Sequence, residues 1–310
     1  MKSKIDKLTK VAVCSRSFSS NPILRKELLK RYDNVKFNDK GETLSGETLI
    51  NFLKGYDRAI TALEVIDEKI LSKLPDLKVI GKYGVGLDMI DFKALKLYGV
   101  ELGWTGGVNK RSVSELVISS SIALLHRTIF ANSEVKAGGW YQVKGKQLSN
   151  CTIGIVGCGH IGKDLVKLLK PFNCKILVND IIDYEDFYKV NNVLPVCLEV
   201  LLKESDIVTL HLPLDHSTKN ILDKQKLSLM KKGAIVINYA RGGLIDEKEL
   251  KVKLKNNDLA GAGLDVFLVE PLVDIDFANM DNVFVTPHIG GSSEEAILAM
   301  GMSAIKGLDV

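Results

Sequence analysis

The stretch Gly157-Cys158-Gly159-His160-Ile161-Gly162 restricts the fold of this chain more than any other. It is a G-x-G-x-x-G turn set between a β-branched run at 153–156 and an amphipathic run at 161–170. That setting calls for a parallel strand, a tight turn and a helix packed back on the strand. Gly157 permits the turn, Gly159 lets the backbone approach a pyrophosphate, and Gly162 lets helix and strand meet closely. The helix start at His160 and Ile161 then faces the anion. The next apolar run, 175–178, leads into Asp180, at the spacing where a carboxylate meets the ribose 2′-hydroxyl of a dinucleotide. No Lys or Arg stands in Ile181-Ile182-Asp183 to receive a 2′-phosphate, so NAD is expected rather than NADP.

A chain of 310 residues has room for two domains. Apolar runs at 11–14, 59–61, 77–81 and 100–102 read as strands, and 23–32, 67–74 and 91–98 as helices. A long helix is expected over 112–129, followed by a Gly/Trp/Lys-rich stretch at 138–150. Strand-like runs then recur at 153–156, 175–178, 207–210, 234–238, 261–266 and 283–285, and 293–305 reads as a final helix. These make a βα unit followed by a six-stranded doubly wound sheet. The runs scarcely alternate, as in parallel strands covered on both faces. The apolar run 116–125 is too short to span a bilayer and reads as a buried helix.

Lys and Arg number 42 against 38 Asp and Glu, a balance too even for a polyanion partner, so neither nucleic acid nor a membrane is expected. The five cysteines, at 14, 151, 158, 174 and 197, form no CxxC or zinc-ligand pattern. No metal site is expected, and a reducing cytoplasm suits them best.

Hydride chemistry on a hydroxy or keto acid needs a carboxylate anchor, a proton-exchanging group and something to hold that group. Arg241 follows the apolar run 234–237 and precedes two glycines, which delivers it at a strand's carboxyl end, where doubly wound sheets bind ligands. Its guanidinium matches a carboxylate with two parallel bonds. The stretch 263–271 supplies Asp265 and Glu270, and Thr286-Pro287-His288 supplies the histidine before a Gly-Gly turn. A carboxylate beside an imidazole fixes its tautomer and favours its charged form.

Taken in this order, the segments resemble the D-isomer-specific 2-hydroxyacid dehydrogenase family. The resemblance is clearest from 77 to 291. It rests on Lys82-Tyr83-Gly84-Val85-Gly86-Leu87-Asp88-Met89-Ile90-Asp91, on Val108-Asn109-Lys110-Arg111-Ser112-Val113-Ser114-Glu115, and on the glycine turn. Leu210-His211-Leu212-Pro213-Leu214 and the Arg241, Glu270 and His288 segments complete it.

The resemblance implies an α/β protein of two Rossmann-like doubly wound parallel-sheet domains. A cofactor domain at 106–288 would be inserted into a flavodoxin-like substrate domain at 1–105 plus 289–310, and domain closure would complete the site. It implies reversible hydride transfer between NAD(H) and a small anionic 2-hydroxy or 2-oxo acid, phosphoglycerate dehydrogenase-like or hydroxypyruvate/glyoxylate reductase-like. Arg241 would bind the substrate carboxylate, with backbone amides near Val85 and Gly86. His288 would be the general acid/base, and Glu270 would pair with it. Asp265 would hold the nicotinamide carboxamide, while Pro213, Ala240 and Asp180 line the cofactor groove. His211 would be structural or cofactor-adjacent. Assembly as a homodimer or tetramer is expected, through the long helix and the 138–145 arm.

Some positions depart from the family pattern. Met89 stands where many members have Asn, and Ser114 where many have Ala. Arg58-Ala59-Ile60-Thr61 does not match the phosphate-holding Arg-Ser-x-Thr motif, whereas Ala62-Leu63-Glu64 resembles the Gly/Ala-Leu-Glu loop of other members. Lys82 and Arg58 are candidates for an extra anion contact. The competing functional class is an NAD(H)-sensing, corepressor-type binding protein on the same fold.

Overall fold

The computed structural model describes residues 8–310. They form two compact units, one within Met1–Asn109 and Ser293–Val310, the other within Lys110–Ser292.

In the first unit, parallel strands β1 (Lys10–Val13), β2 (Asn34–Phe37), β3 (Arg58–Thr61), β4 (Val79–Lys82) and β5 (Glu101–Gly103) lie in the order β2-β1-β3-β4-β5. This is the flavodoxin-like order. The inner strands are buried almost throughout, which is why their sequences run apolar without alternation. β2 has no counterpart among the expected strands. It is an edge strand, Asn-Val-Lys-Phe, covered on part of its surface only, so it lacks the unbroken apolar run of its neighbours. The last helix, Glu294–Lys306, is capped by Ser293 and seats on this sheet. A Cβ on Gly81 would lie 2.3 Å from the Ala304 carbonyl oxygen, and one on Gly103 1.8 Å from that of Gly307. Glycine at both positions admits the carboxyl-terminal segment against β4 and β5.

The second unit holds β6 (Thr152–Val156), β7 (Lys175–Asn179), β8 (Leu194–Pro195), β9 (Ile207–Leu210), β10 (Ala234–Asn238), β11 (Leu259–Leu264) and β12 (Val283–Val285). All pair in parallel, in the order β12-β11-β10-β9-β6-β7-β8. Renumbered within the unit, this is the Rossmann order 3-2-1-4-5-6 with one further strand beyond. The sheet therefore has seven strands, not the six expected from sequence. The added β8 is a two-residue edge strand with both residues exposed, ending in a proline that only an edge tolerates.

The long helix expected over 112–129 is also corrected. Helix Lys110–Leu125 ends, Arg127 takes a left-handed conformation (φ 51°), and helix Thr128–Lys136 leaves at 63°. The returning chain explains the break. Lys146 N donates to the Leu125 carbonyl, and Gly145 packs so closely on His126 that a Cβ would lie 2.8 Å from its ring. Among the described residues no single helix is long and apolar enough to cross a membrane; this bent pair passes by length and composition, and its first helix buries Val113, Val117 and Leu125. All five cysteines are free thiols, and the described residues contain no cluster able to hold a metal ion.

Candidate active site

Parallel pairing sets up the site. Val285, Leu264, Asn238, Leu210, Val156 and Asn179 are successive Cα partners across six neighbouring strands of the second unit. Each ends its strand, so every chemistry-bearing segment of this unit leaves from one line along the carboxyl edge. The glycine turn follows β6, Asp180 follows β7, and His211-Leu212-Pro213 follows β9. The Arg241, Glu270 and His288 segments follow β10, β11 and β12 in turn.

The glycine turn lies at the switch point between β6 and β9, where open α/β sheets hold ligands. Gly157 has φ 96°, and a Cβ there would sit 2.5 Å from the His211 carbonyl oxygen. A Cβ on Gly162 would sit 2.3 Å from the Gly157 carbonyl oxygen, so the helix presses directly on the turn. Gly159 instead faces open space. It caps helix His160–Leu169 without a side-chain bond, leaving the first turn's amides to meet an anion. Asp180 accepts from Cys158 N at 2.5 Å and Ile182 N at 2.8 Å, which places its carboxylate beside the turn. These features fit a dinucleotide: a cradle with room above Gly159 and a carboxylate at the ribose end. His160 is exposed at the helix start, and Ile161 packs against the core.

His211 bonds Thr209 Oγ1 through Nε2 at 3.1 Å, and its Nδ1 is buried without a hydrogen-bond partner. Burial lowers its pKa to about 3, so the ring is neutral across the physiological range and is no proton donor there. Burial likewise pushes the Cys158 thiol up to about 11, which leaves it a small apolar residue inside the turn.

On the other side of the switch point, the structure brings Glu270 and His288 together. Glu270 Oε2 lies 2.9 Å from His288 Nδ1, and Glu270 Oε1 accepts from Phe267 N at 3.0 Å. A carboxylate only accepts, so Nδ1 carries the hydrogen and Nε2 is the nitrogen turned to chemistry. His288 itself holds φ 57°, a conformation that costs energy for a residue with a Cβ. Asp265 stabilises it. This buried carboxylate accepts from Thr286 Oγ1 at 2.6 Å, Ile289 N at 2.7 Å and Gly290 N at 2.7 Å, bracketing His288 on both sides.

Arg241 reaches the same edge through Asn238. The Asn238 amide donates to the Arg241 carbonyl at 2.8 Å and its oxygen accepts from Ala240 N at 3.2 Å, folding a tight turn at the end of β10. Arg241 Nη1 donates to the Ala240 carbonyl at 2.6 Å. A Cβ on Gly242 would lie 1.9 Å from the Phe267 carbonyl oxygen, so the Arg241 turn rests directly on the Glu270 turn. Glu247 braces the same turn by accepting from Leu268 N at 2.7 Å. Burial raises its carboxyl above the usual range, and neighbouring Glu270 adds to the effect.

Val85 and Gly86 belong to the first unit, in the loop after β4. Arg58 lies in that unit too, but at the amino end of β3. It is engaged by Tyr32 Oη at 3.0 Å and by the Leu308 carbonyl. That removes it from the ligand-binding edge and corrects its expected place as an anion contact. Sequence reading gave no role to Asn238, Glu247 and Thr286; of these only Asn238, a turn-forming residue before a glycine pair, carried a local signal.

The chain is similar to known proteins over most of its length. The family model described as D-isomer specific 2-hydroxyacid dehydrogenase, NAD binding domain, matches residues 118–290. The chain is 37% identical to a hydroxypyruvate reductase of Thermotoga maritima, over 74% of this chain and 76% of that one. It is 35% identical to a D-3-phosphoglycerate dehydrogenase of Methanocaldococcus jannaschii, over 90% of this chain but only 54% of that protein. The D-lactate dehydrogenase of Aquifex aeolicus, solved with NAD and lactic acid, superposes with a TM-score of 0.84 at 26% identity, covering 96% of this chain and 93% of that one.

Proposed function

Because this chain belongs to the D-isomer specific 2-hydroxyacid dehydrogenase family, and is an NAD-dependent oxidoreductase of 2-hydroxy acids, we propose that Arg241, Glu270 and His288 carry its reaction. The observation that supports this best is the 2.9 Å bond between Glu270 and His288, held on the same strand edge as the glycine turn. NAD(H), when bound, accepts or supplies the hydride. The amides of the turn, from Gly157 through Gly159, His160, Ile161 and Gly162, receive the pyrophosphate, and Asp180 receives the ribose. Pro213, Ala240 and Asp265 line the nicotinamide half. Glu270 fixes the His288 ring so that Nε2 donates a proton to the substrate oxygen during reduction and removes it during oxidation. The Arg241 guanidinium grips the substrate carboxylate. In the first unit, taken by itself, the Val85 and Gly86 amides are assigned to an anionic group of the substrate.

The substrate is assigned as a small, unphosphorylated 2-oxo acid of the hydroxypyruvate or glyoxylate kind. Supporting this, Arg58-Ala59-Ile60-Thr61 does not match the phosphate-holding Arg-Ser-x-Thr motif, and Arg58 is engaged by Tyr32 and the carboxyl-terminal segment. Exposed Trp140 and Tyr141 support assembly as a homodimer or tetramer through the 138–145 stretch, and five free thiols support a cytoplasmic location.

His288→Ala is expected to lower kcat by about 10²-fold or more while NADH binding stays within a few-fold of wild type. Glu270→Gln, which keeps a hydrogen-bond acceptor, is expected to retain more activity than His288→Ala. Single-turnover kinetics and NADH titration separate the two effects. Wild-type kcat in His288→Ala would remove that residue from proton transfer.

A further inference from the structure

Lys82 ends β4 directly before the Gly84–Gly86 loop, and only 2% of it is exposed. Burying an ammonium is costly unless its donors are met. Here Nζ donates to the Ala62 carbonyl at 2.6 Å and to the Tyr83 carbonyl at 3.2 Å. The first bond reaches the loop after β3, the strand paired with β4 through Thr61 and Lys82. The Ala62 turn is itself closed by Glu64, whose carboxylate accepts from Ala62 N at 2.6 Å. The chain then enters Gly84 at φ 112°, with Lys82 Nζ 3.4 Å from where a Cβ would stand.

The rest of the loop is fixed in the same sense. Tyr83 stacks edge-on against Phe18, and Trp104 Nε1 donates to the Val85 carbonyl at 3.2 Å. The Tyr83 and Val85 carbonyls are thus both bound by donors of the protein. Drawing carbonyl oxygens of the loop onto donors of the protein favours an anion at this turn over a cation.

We infer that Lys82 is a positioning residue for substrate binding: its buried ammonium ties the Ala62–Glu64 turn to the Gly84–Gly86 loop and biases that loop toward the carboxylate of a 2-oxo acid. The inference rests on the proposed assignment of the Val85 and Gly86 amides to an anionic group of the substrate. An aliphatic side chain of similar length would fill the space yet supply neither the bonds nor the charge.

The test is steady-state kinetics of Lys82→Met with hydroxypyruvate or glyoxylate, alongside NADH titration and thermal melting. Losing a charged hydrogen-bond donor is expected to raise the oxo-acid KM at least about ten-fold. Both kcat and NADH affinity should stay within a few-fold. Glu64→Ala, which loosens the gripped turn and leaves the ammonium in place, is expected to raise KM in the same direction by a smaller factor. It decides the matter if Lys82→Met does not fold. Unchanged KM in a folded Lys82→Met, or a loss confined to NADH binding, would overturn the inference. A wild-type protein that turns over no 2-oxo acid would instead sink the assignment on which it rests.

Discussion

At the scale of single residues, two glycines of this unit invite opposite outcomes from one substitution. Gly242 has the Phe267 carbonyl against it, whereas Gly159 faces open space. Gly242→Ala must push the Arg241 turn away from the Glu270 turn. A displacement of about 1 Å in a catalytic constellation can cost about 10²-fold, so kcat/KM should fall on that order, with a lowered melting temperature. Gly159→Ala should melt as wild type yet bind NADH more weakly, because its methyl would enter the open space proposed for the pyrophosphate. Equal melting temperatures for both variants would contradict the close approach at Gly242. The contrast also marks what sequence reading could reach. The fingerprint glycines, Arg241, Glu270 and His288 stand out because chemistry-bearing types recur at telling intervals. Gly242 and Lys82 acquire their importance from a carbonyl brought near by the segment after another strand, which no local pattern encodes. Asp265 was legible as a candidate site residue, but its three bonds to the His288 loop were not.

At the scale of elements, the inner strands were readable because burial on both faces demands unbroken apolar runs. The edge strands β2 and β8 escaped because partial burial leaves polar residues and a proline in place. Helix Lys110–Leu125 illustrates a further limit: its end depends on Gly145 and Lys146 returning to it. The same helix is tied to His160–Leu169 by Arg111, whose Nε and Nη2 donate to the two Asp164 oxygens at 2.8 and 3.1 Å. The Arg111 hydrogen bond holds the Asp164 carboxyl below its usual value, against burial, which raises it. A folded-state pKa below the unfolded one means that stability from this pair is complete above the ordinary carboxylate range. It is lost as pH falls through the folded value. Asp164→Asn should therefore flatten the decline in melting temperature between neutral and strongly acid pH. An acid limb as steep as wild type's would show that the pair contributes nothing, as ion pairs with one exposed partner can.

At the scale of the whole molecule, the chain leaves the first unit after Asn109 and returns to it at Ser293. The return is written in glycine, since Gly81 and Gly103 make room for the last helix. Both units are parallel sheets, and in each the loops proposed to bind follow the carboxyl ends of strands. The net charge of +4 gives no hint of an anionic ligand, because the charges proposed to meet one are local, at Arg241 and Lys82. The most direct test of the assigned activity is NADH oxidation by the purified chain with glyoxylate, hydroxypyruvate, phosphohydroxypyruvate, pyruvate and 2-oxoglutarate, with chiral analysis of the product. Turnover of hydroxypyruvate or glyoxylate to the D-hydroxy acid, abolished in His288→Ala, is the expected result. Tight NADH binding without turnover of any of the five acids would contradict the assignment and point to a cofactor-sensing protein on this fold.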